Sequence, residues 1–204
     1  MRVVKKREER RREIVEAALA LFSARPYDQV TMQDLIEKVG IAKGTLYHYF
    51  KSKEELLEAV VEHIVGARMQ KVRAAIDSCE EGAAQKMKRF AQGAQMDQPQ
   101  LLEQLHAPGS ELLHLRLIGS AIDQMAPLLA TVIEQGCAEG LFDTRCPLES
   151  AEFILAGLHF LMDRGLGLGS VEARERRAGA TAHLVEQQLG APAGSLDFLA
   201  QVIE

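Results

Sequence analysis

Tyr47, His48, Tyr49 and Phe50 are consecutive in a chain of 204 residues that holds three Tyr, seven Phe and no Trp. Lys43, Lys51 and Lys53 flank this cluster, and Gly44 and Thr45 stand just ahead of it. Three of the four rings end in a polar group. Such rings lie against sugars and donate hydrogen bonds to phosphate oxygens, while ammonium groups neutralise phosphate charge. Lys43 and Thr45 are the side chains suited to reaching base edges. Gly44 has no Cβ, so the backbone there is able to approach a duplex closely. Lys53 adds its charge at a helix start, where backbone N–H groups also attract anions. Leu46 and Phe50, four residues apart, are the apolar anchors of the same segment. The candidate DNA-binding set is Thr31, Lys43, Gly44, Thr45, Tyr47, His48, Tyr49 and Lys53.

The elements that must position this chemistry are helices. Ile14, Ala17, Ala18, Leu21 and Phe22 form one apolar stripe, closed by the turn "SARPYDQ". Thr31 with Asp34 three residues on reads as a capping box opening a second helix with Leu35, Ile36 and Val39 inward. Gly40 stops it in the left-handed conformation. A short third helix spans about 42–49. A helix, a tight turn and a short second helix make a helix-turn-helix, whose second helix enters the major groove. Ser52 and Glu55 read as a second capping box, opening a long helix that runs to about residue 77.

Charge supports the same assignment. The net charge is −5, yet residues 1–53 hold twelve Lys and Arg against seven Asp and Glu, and the remainder twelve against twenty-two. A basic head on an acidic body directs only the head to a polyanion. Cys79, Cys137 and Cys146 are odd in number and form no C-x-x-C pair, so they read as reduced thiols. No uninterrupted apolar run approaches a membrane span, and no apolar stretch follows the basic start as in a signal peptide. The expectation is a soluble, cytoplasmic protein without a membrane partner. Nothing pairs a nucleophile with a base or forms a phosphate-binding glycine loop, so no catalytic residues are assigned and the chain is not expected to be an enzyme. His106 and His114 are separated by a proline and a glycine and share no helical face with a carboxylate or thiol. No metal and no cofactor are expected.

The rest of the chain also carries helical spacing, giving an all-α fold of nine or ten helices. The division expected is a DNA-binding domain over 1–52 and a ligand-binding and dimerisation domain over 53–204. Pro127 is expected to kink or restart a helix begun near Ser110, and Pro147 to be the first residue of a helix over about 147–164. That helix is apolar on more than one face, and with a helix over about 171–189 it is the expected homodimer interface, through Phe153, Ile154, Leu158 and Leu161. Methionines and aromatics suit an adaptable apolar pocket. The candidate lining is Met69, Met87, Phe90, His114, Leu117, Met125 and His159.

"TMQDLIEKVGIAKGTLYHYFKSKEELL" resembles the DNA-binding segment of the TetR/AcrR transcriptional regulators, with the likeness running from about residue 10 to 65. "VIEQGCAEGLFDTRCPLESAEFILAGL" is similar to that family's entry into its dimerisation helices. The resemblance implies an all-α homodimer that binds a palindromic DNA operator through its first three helices. It further implies a C-terminal domain that binds a small-molecule effector, and a repressor released by that effector. Thr31, Tyr47 and Lys53 fall where the family contacts phosphates, and Lys43 and Thr45 where it reads bases. Ala42 stands where Ser or Thr is usual, and Tyr49 where His is common. Two other classes fit the residues: a DNA-binding regulator or architectural protein that senses no small molecule, and a helical enzyme.

Overall fold

Residues with a conformational reason to start or stop a helix do so here. The computed structural model describes residues 7–96, 98–163 and 170–202. Among them are ten α-helices and no strand: α1 (Arg7–Phe22), α2 (Met32–Val39), α3 (Lys43–Tyr49), α4 (Lys53–Asp77), α5 (Ala83–Gly93), α6 (Pro99–Leu105), α7 (Glu111–Ala138), α8 (Pro147–Met162), α9 (Val171–Leu189) and α10 (Phe198–Val202). A 3-10 turn covers Tyr27–Gln29. The all-α expectation is met. The basic residues Arg2, Lys5 and Lys6 and the glycine-rich segment 165–169 lie outside the described residues.

The chain divides into two compact units. The first comprises Met1–Val65 and Met96–Leu117, the second Gly66–Gln95 and Ile118–Glu204. In the first, α1 packs on α2 and α2 on α3. Ile14, Phe22, Leu35, Leu46, Phe50 and Leu56 are wholly buried there. In the second, α9 packs on α8 and α10, and α10 on α5. One continuous apolar cluster there takes in Phe90, Met125, Ile133, Leu155, Val185 and Leu196. Glu186 is buried within this unit and accepts the Leu196 N–H at 2.8 Å, which ties the chain after α9 back to it.

One expectation is narrowed and one needs correction. Of the kink or restart expected at Pro127, the restart does not occur, because α7 continues from Glu111 to Ala138 through it. Pro127 and Asp123 are both exposed, so water is able to satisfy the Asp123 carbonyl left without a partner. Ser52 and Glu55 form only half of a capping box. Ser52 Oγ accepts the Glu55 N–H at 3.2 Å, but Glu55 Oε2 accepts the N–H of Lys51 at 2.6 Å rather than that of Ser52. Pro147 does open α8, which stops at Met162.

Although it has no uninterrupted apolar run, α7 has the length and composition of a membrane-crossing helix, with mean hydropathy 1.2 over an eighteen-residue window. Half of that window is buried inside the protein, as in the core helix of a globular domain.

Gly136, near the end of α7, sits under the buried ring of Phe142. A Cβ built there would lie 2.1 Å from Phe142 Cδ2 and 2.4 Å from Cε2. Gly119, on the same helix, has nothing within 4 Å of its Cβ direction. Gly136→Ala is therefore expected to destabilise the fold by about 1–3 kcal/mol. Gly119→Ala should stabilise it by about 0.5–1 kcal/mol. Urea unfolding of the two variants beside the parent checks both signs.

Candidate functional site

The helix-turn-helix is set from its ends inward. Thr31 caps α2 in a complete box: its Oγ1 accepts the Asp34 N–H at 3.2 Å, and Asp34 Oδ2 accepts the Thr31 N–H at 2.7 Å. The same Oδ2 accepts the Thr31 hydroxyl at 2.8 Å and meets Arg25 Nη2 at 3.2 Å. These bonds, the backbone one first, hold the Asp34 carboxyl below the usual carboxylate range. Gly40 closes α2 at φ 68°, ψ 39°, and its N–H donates to the Ile36 carbonyl at 2.9 Å. That φ belongs to the left-handed region, where a Cβ is strained.

The chain re-enters a helix at once. Ala42 is the N-cap of α3 without a side-chain hydrogen bond. This matches the missing hydroxyl seen in the sequence. Leu46 and Phe50 are both fully buried, and Arg11 lies 5.2 Å from the Phe50 ring centroid. With these two residues inward, Lys43, Gly44 and His48 are exposed, and Thr45, Tyr47 and Tyr49 are partly so. Lys43 Nζ stands 5.8 Å from the Tyr47 ring centroid, and the rings of His48 and Tyr49 meet edge-on at 5.3 Å. Lys51 Nζ donates to the Tyr47 carbonyl at 2.9 Å. The structure thus brings Lys43, Gly44, Thr45, Tyr47, His48 and Tyr49 onto one two-turn helix. Thr31 stands exposed at the start of α2.

Lys53 is placed differently from its neighbours. Its Nζ donates to the Tyr27 carbonyl at 2.6 Å and lies 3.9 Å from the Tyr27 ring centroid. Burial pulls its pKa below the usual lysine value, against Asp28, Glu54 and Asp34, which pull it back up. Burial, then the charges of Glu54, Asp28 and Glu58, pushes the Tyr27 phenol up to about 12. Tyr27 packs edge-on against Phe22 at 5.2 Å, and its N–H donates to the buried Ser110 Oγ at 3.1 Å. Asp28 N–H donates to the Gly109 carbonyl at 2.9 Å. Tyr27, Arg25 and Ser110 were absent from the sequence-based set. A three-residue 3-10 turn has no periodicity to betray it, and Ser110 is 83 residues from its partner.

The second unit holds an apolar cavity of about 250 Å³ walled by α5, α7, α8, α9 and α10. Of the candidate pocket residues it brings together Met87, Phe90 and His159. Met125 is fully buried in the core and Met69 packs against it, while His114 and Leu117 belong to the first unit. Residues of the wall not anticipated include Gln95, Leu129, Leu155 and Leu199. On α8, Phe153 is 75% exposed and Leu161 47%, and Leu184 of α9 is 62% exposed. These line a shallow groove between the two helices, together with the partly buried Leu158 and the buried Ile154.

The capping network carries its own test. Thr31→Ala removes one bond of a box that starts the helix-turn-helix, and a loss of about 0.5–2 kcal/mol in unfolding free energy is expected. Asp34 has a lowered folded pKa, so its contribution is present above the ordinary carboxylate pKa and lost as pH falls through the folded value. Asp34→Asn should accordingly lower the melting temperature at pH 7, and the difference from the parent should close as pH is taken below about 4. A difference that persists unchanged in acid would contradict this account.

Comparison with known proteins agrees with the geometry. Residues 14–60 match the bacterial regulatory proteins of the TetR family, and residues 94–174 match the C-terminal domain described as tetracyclin repressor-like. The transcriptional repressor KstR2 of Mycobacterium tuberculosis is 35% identical over 69 residues, 34% of this chain and 34% of its own length. Matches to the curated relatives span about a fifth to a third of those proteins' length, 22% for one from Bacillus subtilis. The crystal structure of a TetR-family regulator of Mesorhizobium loti superposes with a TM-score of 0.62 at 22% identity, covering 98% of this chain and 97% of that one. The regulator RolR in complex with resorcinol superposes with a TM-score of 0.65 at 18% identity, covering 95% and 94%. With both parts of the family's architecture matched in order along it, the chain belongs to the TetR family.

Proposed function

We propose that the protein is a cytoplasmic, homodimeric transcriptional repressor that binds a palindromic DNA operator and leaves it when a small molecule enters the α5–α10 cavity. The observation that supports this reading best is α3. Its buried side is Leu46 and Phe50, and the rest of it offers one pairing of a cation with an aromatic ring, Lys43 with Tyr47, one edge-on ring pair, His48 with Tyr49, a glycine and a threonine. Lys43 and Thr45 read base edges, while Thr31, Tyr47, His48 and Tyr49 meet phosphates and sugars. Lys53 works from behind, through the Tyr27 turn that it fastens, and takes phosphate as a secondary contact. A relative that represses transcription and a neighbour that holds resorcinol support repression and ligand response on this fold.

The exposed apolar groove on α8 and α9 supports dimerisation. Isolated surface leucines are ordinary, but Phe153, Leu161 and Leu184 form one patch. A dimer is what a single helix-turn-helix needs to address two half-sites one DNA turn apart. Ligand and DNA are then linked: if ligand weakens operator binding a hundredfold, about 2.7 kcal/mol, DNA weakens ligand binding by the same factor.

Gly44 gives the sharpest test, because it separates folding from binding. Nothing lies within 4 Å of a Cβ at Gly44, so the free protein accepts alanine there. Gly44→Ala should leave stability unchanged or raise it by about 0.5–1 kcal/mol. If the backbone meets the duplex, operator affinity should fall while stability does not. Lys43→Ala should cost about 1–3 kcal/mol and relax preference at particular bases. Fluorescence anisotropy on a selected operator and on random duplex, over a salt series, measures all of this. Unchanged operator affinity in both variants would refute the assignment of α3. For assembly, Phe153→Arg touches no core contact and should convert a micromolar dimer into a folded monomer, seen by sedimentation velocity.

A further inference from the structure

The wall of the cavity specifies what it admits. Eleven of its thirteen lining residues are apolar, and the other two are Gln95 and His159. Among the described residues no Asp, Glu, Lys or Arg lines it. Arg68 reaches the end of α5, but its guanidinium donates to the Ala94 carbonyl and it is not part of the wall. Among the described residues a charge moved from water into such a space meets no fixed counter-charge, and it carries a desolvation cost far above what burial of its apolar part returns. A cavity of about 250 Å³ also falls just below the range of about 300–1,000 Å³ that holds drug-sized ligands.

Resting on the reading of this cavity as the effector site, we propose that the effector is a small, uncharged, largely apolar molecule with a single hydrogen-bonding group. Its body is one or two rings or an equivalent short branched chain. Phe90 offers a ring face, and Met87 and Met162 supply polarizable surface that adapts to its outline. Its polar group faces Gln95 or His159, the two positions on the wall with donor and acceptor atoms. Anionic metabolites, including carboxylates and phosphate esters, are refused, and so are quaternary or protonated amines. Specificity here comes from the absence of charge partners as much as from contacts made.

Three isosteres distinguish these properties: 2-naphthol is neutral with one hydroxyl, naphthalene lacks the hydroxyl, and 2-naphthoate is an anion of similar shape. Binding to the protein in solution is measured by calorimetry or by ligand fluorescence, without DNA. The expectation is that 2-naphthol binds, naphthalene binds about tenfold more weakly, and 2-naphthoate at least about a hundredfold more weakly. Ala91→Phe fills the cavity from α5, and Ala94→Phe from the residue that caps its C-terminal end. Each should reduce 2-naphthol affinity at least about tenfold while the melting temperature is kept. Equal binding of 2-naphthoate, or full binding by both filled variants when folded, overturns the assignment. Equal binding of naphthalene removes the single polar group from it. Operator release is scored separately. If 2-naphthol binds as described yet leaves operator affinity unchanged, the cavity assignment stands and the ligand-responsive repressor fails. If only anions release the operator, the repressor stands and the assignment fails.

Discussion

A two-turn helix has no stability of its own. Nucleating a helix fixes several residues for each hydrogen bond gained, and isolated segments shorter than about 12–15 residues are marginal in water. The seven residues of α3 carry two tyrosines, a histidine and a glycine, none of them strong helix formers. Its geometry is therefore imposed by the burial of Leu46 and Phe50, each contributing roughly 1.5–3 kcal/mol. The placement of every exposed side chain on α3 depends on these two anchors. Because Phe50 lies just past the end of α3, they leave the other six positions of the helix free to be chosen for chemistry instead of packing. The αL turn at Gly40 and the box at Thr31 then set the angle at which the anchored helix leaves α2.

A second fastening explains the behaviour of Lys53. An exposed lysine at the start of α4 would serve equally well as a phosphate contact, yet this one is partly buried with its Nζ on the Tyr27 carbonyl. Tyr27 in turn takes Ser110 through its N–H and Phe22 through its ring. Within the first unit, the end of α1, the start of α4 and the turn ahead of α7 therefore share one residue. An ammonium held this way has little freedom left to lose when a phosphate arrives. It also loses more solvation than a surface lysine, which is why its pKa falls. What the structure shows of it is a fastening of the turn before α2.

The elements that the sequence made legible are those with a strong periodic or capping signal. The ends of α2, α4, α8 and α9 follow from Thr31 and Gly40, the stripe ending near 77, Pro147, and the span ending at Leu189. The six exposed or half-exposed residues of α3 were legible because chemistry-bearing side chains crowded into so few positions. What stayed hidden depends on distant partners. Ser110 and Tyr27 have meaning only together, and neither departs from an ordinary turn residue in its local context. The cavity was hidden for a related reason: a methionine on an apolar face reads alike whether it fills a core or lines a void. Met87 lines the void, whereas Met125, equally apolar in setting, is packed solid. The choice between kink and restart at Pro127 was not legible because its cost depends on whether water reaches the orphaned carbonyl, and exposure is not written in the local sequence.

The apolar excess of α8 resolves into three separate demands. Ala151, Ile154 and Leu155 are buried in the core of the second unit. Leu158, His159 and Met162 line the cavity, and Phe153 and Leu161 remain exposed on the outer groove. Successive residues at 100° intervals serve these in turn, so no single stripe describes the helix. Leu158 belongs to the cavity wall and the groove at once. A charge placed there would disturb cavity and groove together, so on the proposed reading a loss of ligand binding or of association would say little about the other. Phe153, 75% exposed and absent from the cavity wall, touches only the outer demand. Hydrophobicity alone ranks the two residues alike, and only their surroundings tell which function each one serves.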